Sequence, residues 1–343
     1  MKREAGLADA EDKPIVKRSW LENSLRKADF MTSSERTESL FSQPWLGLSD
    51  HLREVIKTAG SSVVAVMGRR HYASSGLYWQ DGIIVTASHT LEREEEIAVQ
   101  GADLRSQEAV LIGRDPTTDL AILRVESTDW PRLPRAEDPQ VGELVLAVAR
   151  SPEMGVNASL GMMSAVAGSW HTRRGGQVDQ WLRPDLRFYS GFSGGALLDW
   201  QGKLLGMNTA GLFRRLEVTL PVTTLERVVT QLLEKGHIVR GYLGVGMQAV
   251  RLPTGLVSGL NLPSSGGVII VSLETAGPAD QAGILIGDVM VSFAGIPVAD
   301  SYEVVSLLTA ERVGHHIPMQ VVRGGSLINL AVTVAERPRH ADS

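Results

Sequence analysis

Between residues 62 and 149 the chain breaks into short β-rich runs, at 62–67, 75–79, 83–86, 96–100, 109–113, 120–125 and 143–149, each closed by turn residues. Turn signals recur roughly every 8 to 12 residues, the pace of an all-β sandwich or barrel. Parallel strands need long crossover connections, and these intervals leave no room for them. Antiparallel pairing is therefore expected, in a barrel or sandwich and not in βαβ units. Similar runs continue to about Leu220. Residues 223–235 then change to helical spacing, with Gly236 placed to cap the helix end. An earlier helix is expected at 48–56, with Ser49 as its N-cap.

A second unit follows from Gly241 to Arg337. Strands are expected near 243–247, 267–273, 289–293, 317–322 and 330–334, and two short helices at 279–282 and 302–310. This fits a small α+β or partly open barrel module. Residues 1–45 differ from both units. They hold 8 basic and 8 acidic residues with scattered apolar ones, and read as a solvated polar leader.

Composition excludes several classes. At 43% hydrophobic, 21% charged and net charge −5, the chain is neither disordered nor a basic nucleic-acid binder. It has no cysteine, which removes disulfides, Cys-ligated zinc and a thiol nucleophile together. No motif indicates a metal or an organic cofactor. Residues 1–38 never reach an apolar run of signal-peptide length, and the longest uncharged stretch, 252–273, reads as loop plus strand. A cytoplasmic protein is the expectation on these grounds.

The chemistry concentrates in three places. Gly191-Phe192-Ser193-Gly194-Gly195 sets a serine between glycines inside an apolar region. A nucleophilic serine needs an exposed Oγ and nearby N–H groups aimed at a developing oxyanion, and a glycine-framed turn supplies both. Alone, the stretch reads equally well as an ordinary turn. The serine also needs a base. Of eight histidines, His89 ends the run Ile83-Ile84-Val85-Thr86-Ala87-Ser88, where a buried strand meets small residues. His315 and His316 fall in a polar turn, His237 follows a helix, His340 lies in the tail, and His51, His71 and His171 lack such a frame. An acceptor must then orient the imidazole. Asp119 stands at the mouth of the apolar run Leu120-Ala121-Ile122-Leu123, where a buried, hydrogen-bonded carboxylate fits, whereas Asp115 reads as a turn residue before Pro116.

Taken together, in the order His, Asp, Ser with separations of 30 and 74 residues, these blocks resemble trypsin-like serine proteases. Thr118-Asp119-Leu120-Ala121 and Gly202-Lys203-Leu204-Leu205-Gly206-Met207-Asn208-Thr209 are similar to the HtrA/Deg group in particular. Gly241-Tyr242-Leu243-Gly244-Val245, with the run from Gly277 to Val289, resembles a PDZ domain, which captures peptide C-termini on backbone N–H groups. The resemblance implies a mainly β protein: a chymotrypsin-like double β-barrel followed by a small PDZ domain. It implies a serine endopeptidase acting on unfolded or misfolded proteins. His89, Asp119 and Ser193 would be its catalytic residues, and the N–H groups of Gly191 and Ser193 its oxyanion hole. Tyr242, Leu243, Gly244 and Val245 would form the carboxylate-binding loop. The implied domains are a protease at 46–222, a linker helix at 223–240, a PDZ domain at 241–337 and a tail at 338–343. The implied partners are protein substrates and peptide C-termini, with a homotrimer common in the group and Phe41 and Trp45 available for its interface. The competing reading is a catalytically weak PDZ scaffold or chaperone. An esterase fits poorly, because the α/β-hydrolase elbow belongs to strands spaced by helices.

Some positions depart from the group. Phe192 stands where Asn is usual, Ala196 where Pro is usual and Thr90 where Val is usual. A bulky Phe192 is expected to cover the cleft or favour an inactive loop. The segment Leu186-Arg187-Phe188-Tyr189 carries no acid and suggests an apolar or small specificity pocket, with no cleavage after Lys or Arg. The run Ser169-Trp170-His171-Thr172-Arg173-Arg174-Gly175-Gly176 occupies the place of a regulatory loop. It is expected to be a solvated hairpin, with contact to a carboxylate or to the PDZ domain as the other reading.

Overall fold

Two closed barrels of six strands each, then a PDZ-type sheet, organise the chain beyond its first helix. The computed structural model describes residues 33–126, 129–136, 138–213 and 216–338, with side chains from Trp45 onward. Of the expected leader at 1–45, residues 1–32 lie outside the described residues, as does the end of the tail, and 33–45 are helical. The chain divides into two units, Met1–Glu54 and Val55–Ser343. Helix α1, Ser33–Gly60, runs through the boundary between them. Ser49 is thus an interior helical position and not an N-cap. Within the first unit Trp45 is exposed; the Phe41 side chain is not among those described.

The first barrel consists of β1 (Val63–Met67), β2 (Ser74–Gln80), β3 (Ile83–Ala87), β4 (Ile97–Gln100), β5 (Ser106–Asp115) and β6 (Leu120–Arg124), in the order β1-β2-β3-β6-β5-β4. Its interior is filled by Val64, Val66, Tyr78, Ile84, Ile97, Val99, Ala121 and Leu123. The second comprises β7 (Leu144–Ser151), β8 (Gly155–Ala167), β11 (Trp181–Asp185), β12 (Ala196–Asp199), β13 (Leu204–Thr209) and β14 (Val218–Pro221), with the small hairpin β9 (Trp170–His171) and β10 (Gln177–Val178) between β8 and β11. Strands β3 and β13 are buried at every position, and β7 at all but its ends. Burial on both faces explains why they read as continuous apolar runs instead of alternating ones. Strand β7 lies against β1 and β2 of the first barrel. At this seam Arg150 is buried and donates to the carbonyls of Val63 and Gly60, each at 2.6 Å.

Helix α2, Val222–Lys235, ends as the sequence predicts: Gly236 takes a left-handed φ of 71° and its N–H returns to Leu232 O. The C-terminal strands follow: β15 (Gly241–Tyr242) pairs with β22 (Ala335–Glu336) in a two-stranded sheet, and β16 (Val245–Arg251), β17 (Gly266–Leu273), β18 (Val289–Phe293), β19 (Ile296–Pro297), β20 (His316–Arg323) and β21 (Ser326–Thr333) form a six-stranded one. Gly324 and Gly325, both at positive φ, make the two-residue turn joining β20 to β21. Short helices α3 (Thr254–Gly259), α4 (Pro278–Gln281) and α5 (Ser301–Leu307) complete the unit. Helix α3 was not expected in a stretch read as loop plus strand. Asp300 caps α5 by accepting the Glu303 N–H at 2.9 Å. Leu243, Ile270, Ile284, Met290, Phe293, Val304, Met319 and Val332 form the core beneath the sheet.

Candidate active site

Strand β3 ends in a single 3-10 turn, Ser88–Thr90, and this turn lifts His89 out of the first barrel with its side chain 34% exposed. Asp119 starts β6 at a positive φ of 62°, a strained angle for a non-glycine residue that Asp tolerates better than most. Its carboxylate is buried and receives three donors. The His89 N–H reaches Oδ1 at 2.8 Å, His89 Nδ1 reaches Oδ2 at 2.7 Å, and the Thr209 hydroxyl also donates to Oδ2. The Asp119 carbonyl accepts from Ser88 N–H at 3.0 Å. An ionised carboxylate only accepts, so the His89 proton sits on Nδ1 and Nε2 keeps its lone pair.

Ser193 lies in the loop between β11 and β12. The N–H groups of this loop can be counted one by one. Phe192 N–H goes to Tyr189 O, Gly194 N–H to Asn208 O and Gly195 N–H to Phe192 O. Among the described residues, those of Gly191 and Ser193 have no acceptor. The carbonyl side of the loop is fixed by Ser75 on β2: its hydroxyl donates to Gly191 O at 2.8 Å and its N–H to Ser193 O at 3.0 Å. Gly194 has no alternative, since a Cβ there would stand 1.9 Å from Ser75 O and its φ is +87°. Ser193 Oγ accepts the Ala210 N–H at 3.3 Å. No described hydrogen bond joins it to His89. The structure thus brings His89 and Asp119 into contact and puts Ser193 one residue away from Gly211, which touches them both.

Phe192 does not cover the cleft. It is buried in the second barrel, with Phe188 at 6.4 Å and Tyr189 at 5.8 Å between ring centroids. The bulky side chain is accommodated because it points away from the turn that presents Ser193. A cavity of about 550 Å³ beside Ala210 is lined by Arg183, Asp185, Arg187, Phe213 and Glu217 among others, so its wall is mixed and charged. Phe188 instead faces the barrel core, and Glu217 accepts the Phe188 N–H at 3.1 Å. Nor is the 169–176 run a free hairpin. The Tyr302 hydroxyl of α5 donates to His171 O, Thr172 Oγ1 donates to Thr117 O at 2.6 Å, and Arg240 donates to Gly175 O. Asp115, expected as a turn residue, is buried; it accepts from Thr117, Thr118 and Arg240.

The site contains residues to which the sequence drew no attention: Ser75, Thr209, Ala210 and Gly211. Thr209 ends the buried strand β13, and for Ala210 and Gly211 the available signal was a run of small residues directly after it. Ser75 left none.

In the second unit, Leu243 and Gly244 follow β15 with their carbonyls bonded to Ala279 and Glu274 N–H. Gly244 has φ +73°, and the two residues' own N–H groups have no backbone acceptor among the described residues.

Comparison with known proteins agrees with this division. Residues 74–207 match the trypsin-like peptidase domain and residues 241–334 the PDZ domain. The chain is of the HtrA/Deg kind, a trypsin-like serine protease domain followed by a PDZ domain. It is 32% identical to a probable periplasmic serine endoprotease, DegP-like, of Ectopseudomonas mendocina, over 75% of this chain and 55% of that one. It thus spans about half the length of such HtrA/Deg relatives. It is 29% identical to the serine endoprotease DegS of Salmonella typhimurium, over 84% and 80% of the two chains. A serine endoprotease of Yersinia pestis superposes with a TM-score of 0.67 at 28% identity, covering 84% of this chain and 98% of that one. The expectation of a cytoplasmic protein is overturned here, because DegP-like relatives are named as periplasmic. A chain free of cysteine folds in either compartment, so its composition carried no weight on the point. Among the described residues no helix is long and apolar enough to cross a membrane.

Proposed function

We propose that this protein is a serine endopeptidase hydrolysing peptide bonds of unfolded or misfolded proteins, with Ser193 as nucleophile, His89 as general base and Asp119 as its orienting carboxylate. The observation that carries the reading is the pair of N–H groups left over within residues 191–195. There Phe192, Gly194 and Gly195 bond backbone carbonyls, while the Gly191 and Ser193 N–H groups, beside the Ser193 hydroxyl, have no acceptor among the described residues. Two donors left without an acceptor beside a serine hydroxyl suit a developing oxyanion.

The chemistry follows from the arrangement. Ser193 Oγ turns from Ala210 N–H toward His89 Nε2, which takes its proton as the oxygen attacks the scissile carbonyl. The imidazolium so formed is steadied by Asp119, whose charge is already held by two backbone or side-chain donors besides the ring. The tetrahedral oxyanion bonds the Gly191 and Ser193 N–H groups. Collapse expels the amine, which takes the proton from His89, and leaves an acyl-enzyme on Ser193. Water, deprotonated by His89, resolves it. Peptide C-termini bind at Tyr242, Leu243, Gly244 and Val245 of the PDZ domain.

One observation favours the rival reading of a weak enzyme or scaffold: the resting Ser193 hydroxyl is engaged by Ala210 and not by His89. A fluorescent fluorophosphonate separates the two. The active-enzyme reading expects labelling of the parent, none of Ser193→Ala, and casein hydrolysis that tracks the label. A parent that stays unlabelled with a C-terminal peptide present would make the scaffold the better account. A homotrimer stands as a further proposal from the group, tested by light scattering of the purified chain.

A further inference from the structure

Arginines from three separate segments meet at the peptide-binding loop of the PDZ domain. A cavity of about 170 Å³, room for one side chain, is lined by Leu243, Gly244, Met247, Val305 and Leu308, with Arg174, Arg240 and Arg337 among the remaining residues. Its floor is apolar, one end carries the free N–H groups of Leu243 and Gly244, and no acidic residue lines it. Glu274 approaches Gly244 from beside the loop, but the Tyr242 phenol hydrogen-bonds it.

The three arginines are not equally committed. Arg240 pairs with the buried Asp115 and donates to Gly175 O and Thr117, yet its buried Nε finds no acceptor among the described residues. Arg174 belongs to the 169–176 loop of the protease domain, and its one described bond is a long 3.5 Å contact to Pro116 O. Arg337, just past β22, is exposed and in no described ion pair. Two guanidinium groups in no described ion pair therefore belong to the lining of a largely apolar slot that also includes Leu243 and Gly244. A terminal carboxylate held at Leu243 and Gly244 leaves both of them unmatched. Guanidinium groups pair best with carboxylates, in two-point contacts.

We infer that this cavity selects polypeptide C-termini that end in an apolar residue and carry acidic residues immediately before it, with Arg174 and Arg337 receiving the acidic side chains. The inference rests on the proposed PDZ function of the Tyr242–Val245 loop.

The test uses the full chain carrying Ser193→Ala, which cannot consume the probe, and fluorescence anisotropy of labelled decapeptides ending in valine. Two Glu, two Gln or two Lys precede the valine, and the Glu peptide is also made as its C-terminal amide. The Glu acid should bind about tenfold tighter than the Gln acid, with the Lys acid weakest. Raising salt from about 50 to 300 mM should narrow the gap. Arg174→Ala combined with Arg337→Ala should bring the Glu and Gln peptides to within about twofold, the Glu peptide losing more affinity than the Gln peptide. Equal affinities for the three acids, with the amide much weaker, overturn this inference and leave the PDZ reading standing. An amide that binds as well as the acid, or no binding by any peptide, removes the PDZ reading and this inference with it.

Discussion

Gly211 leaves no room for a side chain beside the His89 ring: a Cβ at this position would stand 2.4 Å from His89 Nδ1 and 2.6 Å from Asp119 Oδ2. Its own N–H is tied to Thr209 Oγ1 at 2.9 Å, so the backbone cannot simply withdraw. Gly211→Ala should push the imidazole off its carboxylate without touching either barrel core. A displacement near 1 Å costs on the order of 100-fold in rate. The expected outcome is a fall of that size in kcat on a peptide substrate with the melting temperature nearly unchanged. An unaltered kcat would mean that His89 is not the working base.

Ser75 bridges the barrels to the Ser193 loop, donating to the carbonyls of Gly191 and Ser193 and accepting the Arg150 N–H at 2.9 Å. Holding those two carbonyls fixes the peptides that follow Gly191 and Ser193, and with them the backbone that carries the Gly191 and Ser193 N–H groups. Ser75→Ala removes the hydroxyl and strands a buried donor and acceptor, a cost of about 1–3 kcal/mol in stability. Activity should fall more than this stability loss accounts for, by about tenfold or more in kcat with KM little changed, since the oxyanion donors are used only in the transition state. Equal kcat in the folded variant would remove Ser75 from the positioning of the loop.

The contrast between Asp119 and Ser75 explains what was legible in the sequence. Asp119 breaks an apolar strand pattern with a charge, and a charge at such a place must be compensated, so its burial and hydrogen bonding were readable. Ser75 is a small polar residue in a strand, which fits any sheet; its role depends on a loop 116 residues away. The β runs and the capped helix α2 follow from local periodicity and turn chemistry. Ser49 failed as an N-cap because capping potential is local, whereas the length of α1 is not. Phe192 was misread because the sequence gives the size of a side chain but not which side of a turn it takes. The cavity beside Ala210 has a mixed wall because Phe188 turns inward and Glu217 comes to it from a distant segment. The 169–176 loop looked solvated because its partners, Tyr302 and Arg240, lie in the other domain and its linker.

His171 sits in that interface, its ring 6.1 Å from Tyr302 and nearly perpendicular to it. Burial holds its pKa below the ordinary histidine value, and the positive charges of Arg240 and Arg227 push it the same way. The unfolded chain therefore binds the proton more readily than the folded one. The stability this depression contributes is full above the unfolded value of about 6.5 and is lost as pH falls below it. Thermal melts from pH 7.5 down to about 5 should show the parent losing stability faster than His171→Phe, which cannot titrate. Parallel slopes for the two proteins would place the interface's pH sensitivity elsewhere.

Asp288, at the start of the strand that crosses the PDZ core, carries a buried charge with a defined set of partners. Arg323 Nε reaches Oδ1 at 2.8 Å, Arg323 Nη2 reaches Oδ2 at 2.7 Å, and Leu285 N–H reaches Oδ2 at 2.8 Å. Burial raises its pKa, but the Arg323 hydrogen bonds and charge and the Leu285 N–H outweigh this and hold it below the ordinary carboxylate value. A depressed carboxylate contributes stability that is present above the unfolded value of about 3.9 and lost as pH falls through the folded one. Arg323→Met takes away the partner and leaves the charge. Breaking a buried pair from one side costs about 3 kcal/mol, and in a domain of this size that lowers the melting point by more than about 10 °C. Adding Asp288→Leu should recover much of the loss, because the uncompensated charge goes with it. Calorimetry of the full chain at neutral pH measures both. A double variant no more stable than Arg323→Met alone would show that the pair matters for its hydrogen bonds to Leu285 and Gly283 and not for its charge.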